Sequence, residues 1–192
     1  MRPAAFLDRD GTIIEESGYL DRLDRLVFFP YSVDAIRALN RAGFAVVVVT
    51  NQAGIARGIV REVFVAEAHA HIAARVEAGG GRIDGFYYCP HYPTGTVAEF
   101  TRTCDCRKPR PGMLRQAAAD LQLDLSRSFT VGDRWHDVGA GAAAGARGIL
   151  VRTGLGAEEE KTPPPGAIPA AIVDDLAAAA AWILEHTRGT RA

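Results

Sequence analysis

Short apolar runs alternate with longer, helix-periodic stretches along this chain. Phe44–Ala45–Val46–Val47–Val48–Val49 is the clearest run. It is β-branched and apolar on both faces, the pattern of a central strand in a parallel sheet. Ala4–Ala5–Phe6–Leu7, Gly85–Phe86–Tyr87–Tyr88–Cys89, Ser128–Phe129–Thr130–Val131–Gly132 and Gly148–Ile149–Leu150–Val151 predict further strands, with Ala171–Ile172–Val173 as a short edge strand. The stretches between them predict helices. One runs over 32–42, with Ser32 as N-cap, Val33, Ile36 and Leu39 as its apolar stripe, and Gly43 as its stop. Others cover 61–78, closed by Gly79–Gly80–Gly81, then 112–121 behind Pro111, then the latter part of 133–144, which reads as a loop and helix, and 176–185. Strand–helix alternation of this kind predicts an α/β fold: a Rossmann-like central parallel sheet flanked by helices, as a single domain over 1–192.

Two stretches break the alternation. Residues 13–30 mix Glu15, Glu16, Gly18, Tyr19, Asp21 and Asp24 with apolar positions and read as a loop or small hairpin over the end of the first strand. Residues 90–109 show no periodicity, and so long an irregular stretch in a small domain needs something to hold it. Cys89–Pro90–His91 and Cys104–Asp105–Cys106 bracket it. Residues i and i+2 of an extended chain project to one face, so each limb can offer two ligands to one ion. Three thiolates and an imidazole fill a tetrahedral zinc shell and leave no position for a catalytic water, so this zinc is structural. An odd cysteine count argues against a disulfide framework. The alternative is three unrelated buried cysteines and a surface histidine.

The predicted strand ends carry the polar chemistry. The first strand runs into Asp8–Arg9–Asp10–Gly11–Thr12, the second into Thr50–Asn51, and the fourth into Asp133, with Asp137 four residues on. Arg107–Lys108–Pro109 precedes the fourth helix. Alone, the Asp-Gly pair reads equally well as a turn. In a parallel sheet, however, these ends share one edge, where open α/β sheets place their sites. The set suits phosphoryl transfer. Asp8 and Asp133 can supply carboxylates to magnesium, with the backbone carbonyl of Asp10 close by. Asp8 can attack phosphorus as a nucleophile, and Asp10 can act as general acid and then base. Lys108 and the Thr50 hydroxyl can bind the remaining phosphoryl oxygens. Asp137 either binds a metal-bound water or orients Arg134. The run Gly139–Gly145 lacks dinucleotide-fingerprint spacing, and its small residues predict close helix–sheet packing.

These motifs, in this order, resemble the haloacid dehalogenase (HAD) phosphatases. Leu7–Thr12, Thr50–Gly58 and Cys104–Pro109 resemble most closely the heptose 1,7-bisphosphate 7-phosphatases within them. The resemblance implies a HAD fold with a minimal cap and removal of the C7 phosphate of D-glycero-D-manno-heptose 1,7-bisphosphate. It implies Asp8 as nucleophile, Asp10 as acid/base, and Thr50 and Lys108 as phosphoryl stabilisers. Asn51, Gln52, Arg107, Arg134 and the segment Glu16–Ser17–Gly18–Tyr19 become substrate contacts. Arg134 stands where relatives often carry lysine, which keeps the charge and changes the geometry of donation. Histidinol-phosphate phosphatases share the acids and the zinc ligands, but the 12 residues between His91 and Cys104 favour the heptose family.

Composition narrows the alternatives. A net charge of -1 gives no support for a nucleic-acid partner. No apolar run approaches the roughly 20 residues of a membrane helix. Met1–Arg2–Pro3 leads straight into the first strand without room for a signal peptide, so the expected compartment is the cytoplasm. A monomer is expected, and the resemblance implies a small sugar bisphosphate as its partner. A non-catalytic zinc-stabilised binding domain is the reading from another class. It gives no reason for Asp8, Asp10, Lys108 and Asp133 to occur together.

Overall fold

The valine run fixes the centre of the molecule. Val46, Val47 and Val48 are wholly inaccessible, as are all four residues Ala4–Leu7 beside them. The computed structural model describes residues 1–187. Six strands form one sheet: β1 (Ala4–Leu7), β2 (Ala45–Asn51), β3 (Gly85–Cys89), β4 (Phe129–Gly132), β5 (Arg147–Val151) and β6 (Ala171–Val173). Their order is β3-β2-β1-β4-β5-β6, and every pairing is parallel. The order reverses at β1, which makes the carboxyl end of that strand the topological switch point. Leu7 stands opposite Val48 on one side and Val131 on the other. The three strands therefore end level, and Asp8, Thr50 and Asp133 all lie on one edge.

The two-residue period of β1 divides the core. Ala5 and Leu7 join α1 (Ser32–Arg41), α3 (Glu62–Ala78) and α7 (Leu176–Thr187) on one face. Ala4 and Phe6 join α4 (Gly112–Leu121) and α5 (Trp135–Ala144) on the other. Both faces of every central strand are thus covered, which is why the strands read as unbroken apolar runs.

Four expectations change. Ser32 does not cap α1: Tyr31 occupies the N-cap, and the buried Ser32 hydroxyl donates to the Ile13 carbonyl at 2.7 Å. A tertiary acceptor won over the local one. The helix ends at Arg41, with Ala42 as its cap. β2 continues through Thr50 and Asn51, two residues beyond the apolar run that predicts it, because β3 pairs with it as far as Asn51–Cys89. Two single-turn helices, α2 (Ala53–Ala56) and α6 (Gly156–Glu159), were not anticipated, being too short to show a period.

The irregular stretches fall where expected. Residues 13–30 return on themselves through one antiparallel bridge, Ile14–Phe28, and a turn of 3₁₀ helix at Leu23–Arg25. Residues 90–109 contain only a 3₁₀ turn, Ala98–Phe100. No helix among the described residues is long and apolar enough to cross a membrane.

The glycines of α5 do permit close packing. A Cβ on Gly141 would lie 2.3 Å from the Thr130 hydroxyl oxygen, and one on Gly148 of β5 would lie 2.7 Å from the Val138 backbone of α5. Gly141→Val should accordingly destabilise the fold by about 2 kcal/mol, read as a lower urea midpoint with an unchanged slope; an unshifted midpoint would show that α5 can move off the sheet freely.

Candidate active site

Asp8 leaves β1 with its N–H donated to Val131 O at 2.9 Å, so the sheet itself sets its position. Its Oδ1 accepts from the Arg9 backbone N–H at 2.8 Å and lies 3.0 Å from Lys108 Nζ. Lys108 is almost wholly buried, and its three N–H groups are all placed: on Asp8, on Asp137 Oδ1 at 2.5 Å, and on the Val49 carbonyl at 2.7 Å. Burial alone would favour a neutral amine. Asp137 and Asp8 outweigh it and hold the Lys108 pKa above its ordinary value.

Asp10 is held from beneath. Arg9 is 1% exposed and turns its Nε and Nη2 onto the Asp10 carboxylate at 3.0–3.2 Å, while Nη2 also donates to Gln52 Oε1 at 3.0 Å. Gln52 Nε2 in turn donates to Asp10 Oδ2 at 3.1 Å and Thr50 Oγ1 at 2.9 Å. Asn51 spends its amide on the backbone of the 90–109 loop: Nδ2 donates to Lys108 O and Oδ1 accepts from Lys108 N, each at 3.1 Å. Asn51 and Gln52 line the cleft, yet both are engaged with neighbouring protein groups rather than free for a ligand.

One carboxylate oxygen each from Asp8, Asp133 and Asp137 lies within 4.8 Å of the others. Asp133 Oδ2 accepts from Leu155 N at 2.8 Å, but its Oδ1 is buried without a partner. Burial, then the nearby charge of Asp8, pushes the Asp133 pKa up to about 8. Burial pushes Asp137 up as well, against the pull of Lys108. Four aspartates face two buried cations, Arg9 and Lys108, so a divalent ion would balance the charge. Oxygen-only donors and an orphaned carboxylate oxygen suit magnesium. Asp137 also accepts from the Arg134 backbone N–H at 3.2 Å and starts α5, so it joins Lys108 to the helix.

A cleft of 510 Å³ opens over this cluster. Asp8, Asp10, Thr50, Lys108 and Asp133 form its floor, and Glu16, Gly18, Tyr19, Arg107 and Arg134 line it as well. Ser17 is not among the lining residues; its carbonyl accepts from Arg25 at 2.7 Å. Burial and the neighbouring Asp10 raise the Glu16 pKa. A groove of similar volume between α1 and α7, lined by Arg37, Arg41 and Leu184, carries no such cluster.

Cys89, His91, Cys104 and Cys106 form the second group. Their sulfurs are 3.1–3.4 Å apart, and His91 Nδ1 lies 3.3 Å from Cys106 Sγ and 3.8 Å from Cys89 Sγ. Tetrahedral zinc with bonds of about 2.3 Å sets sulfurs about 3.8 Å apart, so a small expansion would admit the ion. Arg102 Nη2 stands 2.7 Å from His91 Nε2. Coordination through Nδ1 leaves the ring proton on Nε2, so the Arg102 donor would have to swing aside on metal loading.

Similarity to known proteins agrees with this geometry. A HAD-hydrolase-like family profile matches residues 105–179. The D-glycero-beta-D-manno-heptose-1,7-bisphosphate 7-phosphatases of Yersinia pestis and Escherichia coli (strain K12) are each 46% identical over 153 residues, covering 79% of this chain and 81% and 80% of theirs. The chain belongs to this phosphatase family. Among solved structures, the D,D-heptose 1,7-bisphosphate phosphatase from B. bronchiseptica, complexed with magnesium and phosphate, superposes with a TM-score of 0.85 at 33% identity, covering 97% of this chain and all of that one. The corresponding protein from Burkholderia thailandensis gives 0.71 at 33% identity, over 95% and 99% of the two chains. The phosphatase is thus a phosphoric monoester hydrolase of the HAD type.

Several cleft residues of the phosphatase escaped sequence reasoning. Tyr92 and His136 line the cleft outside every motif singled out in the sequence, and Arg57, inside the Thr50–Gly58 stretch, lines it with no role assigned to it. Arg9 carries no role in the sequence reading, and only its burial shows that it grips Asp10.

Asp133 gives a signed pH dependence. Its folded pKa of about 8 lies above the unfolded value of about 4, so the folded state binds its proton more tightly. Without metal, its contribution is therefore most favourable below pH 4 and is lost as pH rises through 8. Asp133→Asn should melt about 4 °C or more above the wild type at pH 8 in EDTA, with the gap closing toward pH 4. A gap independent of pH would show that Asp133 is not held against its charge.

Proposed function

We propose that this phosphatase removes the C7 phosphate of D-glycero-D-manno-heptose 1,7-bisphosphate through a phosphoryl group carried on Asp8. The convergence of Asp8, Lys108, Asp133 and Asp137 beneath one cleft carries the reading. Asp8, Asp133 and the backbone carbonyl of Asp10 would hold magnesium, which supplies positive charge against the phosphate oxygens and the attacking carboxylate when bound.

Lys108 and the Arg9 N–H fix Asp8 Oδ1, leaving Oδ2 outside those bonds. An Asp8 oxygen attacks phosphorus in line as the bond from phosphorus to the C7 oxygen breaks. Asp10 gives its proton to that departing oxygen. It then takes a proton from the water that attacks the acyl phosphate, which releases inorganic phosphate and restores Asp8. Arg9 and Gln52 hold Asp10 in place for both transfers. The Thr50 hydroxyl and Lys108 stabilise the transferring oxygens.

Zinc at Cys89, His91, Cys104 and Cys106 would hold the loop that delivers Arg107 and Lys108, the two residues directly after the last ligand. A stripped, zinc-free protein resupplied with magnesium should lose at least about tenfold in kcat while Asp8 and Asp10 stay in place. Full turnover without zinc would separate the loop from catalysis.

The test of the function is phosphate release from both anomers of the heptose bisphosphate, histidinol phosphate and simple sugar phosphates, with and without magnesium. The heptose bisphosphate should be the preferred substrate, and only with magnesium; preference for histidinol phosphate would overturn the assignment. Asp8→Asn should fold with wild-type stability and lose about 10³-fold or more in kcat.

A further inference from the structure

Three guanidiniums, of Arg57, Arg107 and Arg134, stand around the cleft, and among the described residues none of them forms an ion pair with a carboxylate. Lys108 cannot serve a distant group, since its three N–H groups are committed to Val49, Asp8 and Asp137 at the reacting end. Positive charge at the rim is therefore separate from that on the floor.

Arg57 is the member of this set that nothing above employs. Its place is tightly specified. It directly follows α2, whose last carbonyl, on Ala56, accepts from Thr96 N at 2.7 Å and Val97 N at 2.9 Å. A Cβ on Gly95 would come within 2.4 Å of that carbonyl oxygen, so only glycine lets the two segments meet. Gly58, at φ +68°, then turns the chain away. The Arg57 guanidinium lies 4.4 Å from the centroid of the Tyr92 ring and 5.8 Å from that of Tyr19. Arg107 rests 4.9 Å from the same Tyr92 ring, and its Nη1 donates to His91 O at 3.2 Å. Contact with a ring face orients a guanidinium while leaving donors on its fork free. Two such cations sharing one tyrosine repel each other, and a phosphate dianion, which accepts paired N–H donors, is the group that relieves this.

We propose that Arg57, steadied by Tyr92, reads a second phosphate on the substrate, at the end remote from Asp8, and so selects a sugar bisphosphate over the corresponding monophosphate. This rests on the sugar-phosphatase reading above and adds to it a specificity-determining residue. Arg57 takes no part in bond breaking.

The test compares kcat/KM for the heptose 1,7-bisphosphate with that for the heptose 7-phosphate, which loses the same phosphate but lacks the other. The ratio is independent of the fraction of active protein, so a poorly folding variant does not obscure it. Arg57→Met should lower the ratio by about tenfold or more, with turnover of the monophosphate changed less than about threefold. Arg57→Lys should restore part of it, and Tyr92→Leu should lower it in the same direction. An unchanged ratio in Arg57→Met, or equal losses on both substrates, would overturn the proposal while leaving the phosphatase reading intact. A wild-type protein that hydrolyses neither substrate would remove both.

Discussion

A single buried ammonium organises this protein. Lys108 sits at a depth where a lone charge would be untenable, and its three donors reach three different parts of the chain: the end of β2 at Val49, the end of β1 at Asp8, and the start of α5 at Asp137. Removing both carboxylates would leave an uncompensated buried cation, a far larger loss than the net value of the pairs; with Asp8 gone, Asp137 still partners it. The group can be accommodated only if the ends of both strands and the helix arrive together, so the geometry of the site and the level ends of the sheet are the same constraint seen twice. An apolar substitute could satisfy the fold equally well. What it could not do is hold Asp8 Oδ1 in a fixed direction next to positive charge, which is what phosphoryl transfer uses.

The remaining acids pull the other way. Asp133 is buried with one oxygen bonded to Leu155 N and the other orphaned, and its neutral form is favoured through neutral pH up to about 8. Its surroundings are crowded by intent of sequence: glycines at positions 11 and 154, both with positive φ, leave no room for a Cβ beside its carboxylate. Without a cation the arrangement works against the fold; with one it becomes an ordinary hard-metal site. The apolar layers on both faces of β1 and β2 supply the stability that lets the sheet edge remain so charged.

How much of this could be read from the chain depended on the length over which each signal repeats. The valine run, the long helices and the spacing of the two Cys/His limbs repeat or pair within a few residues, and the strands, the helices and the two clusters emerged close to expectation. The acids at the strand ends were legible because parallel topology forces them onto one edge. Single-turn helices carry no period, so α2 and α6 were invisible. Side chains that satisfy distant partners were equally so. Nothing local says that Ser32 serves Ile13, that Asn51 clamps the Lys108 backbone, or that Arg9 folds inward onto Asp10 and Gln52. These residues were legible as polar, and only tertiary structure assigns their partners.

The irregular loop of residues 90–109 shows why such partners matter. It is fastened at three places: by the four sulfur and nitrogen donors, by the two hydrogen bonds onto Ala56, and by the paired hydrogen bonds between Asn51 and Lys108. The last two do not involve the Cys/His cluster. A loop with no secondary structure of its own has little resistance to local opening, so each fastening restricts a different segment. The Ala56 contacts place Arg57 beside Tyr92, and the Asn51 amide sets the height of the Lys108 backbone over the sheet edge. The Cys/His cluster then holds the stretch between them, at Arg107. Loss of zinc should therefore disturb Arg107 before Lys108, because Lys108 keeps its amide clamp and its buried ion pairs when the thiolates let go.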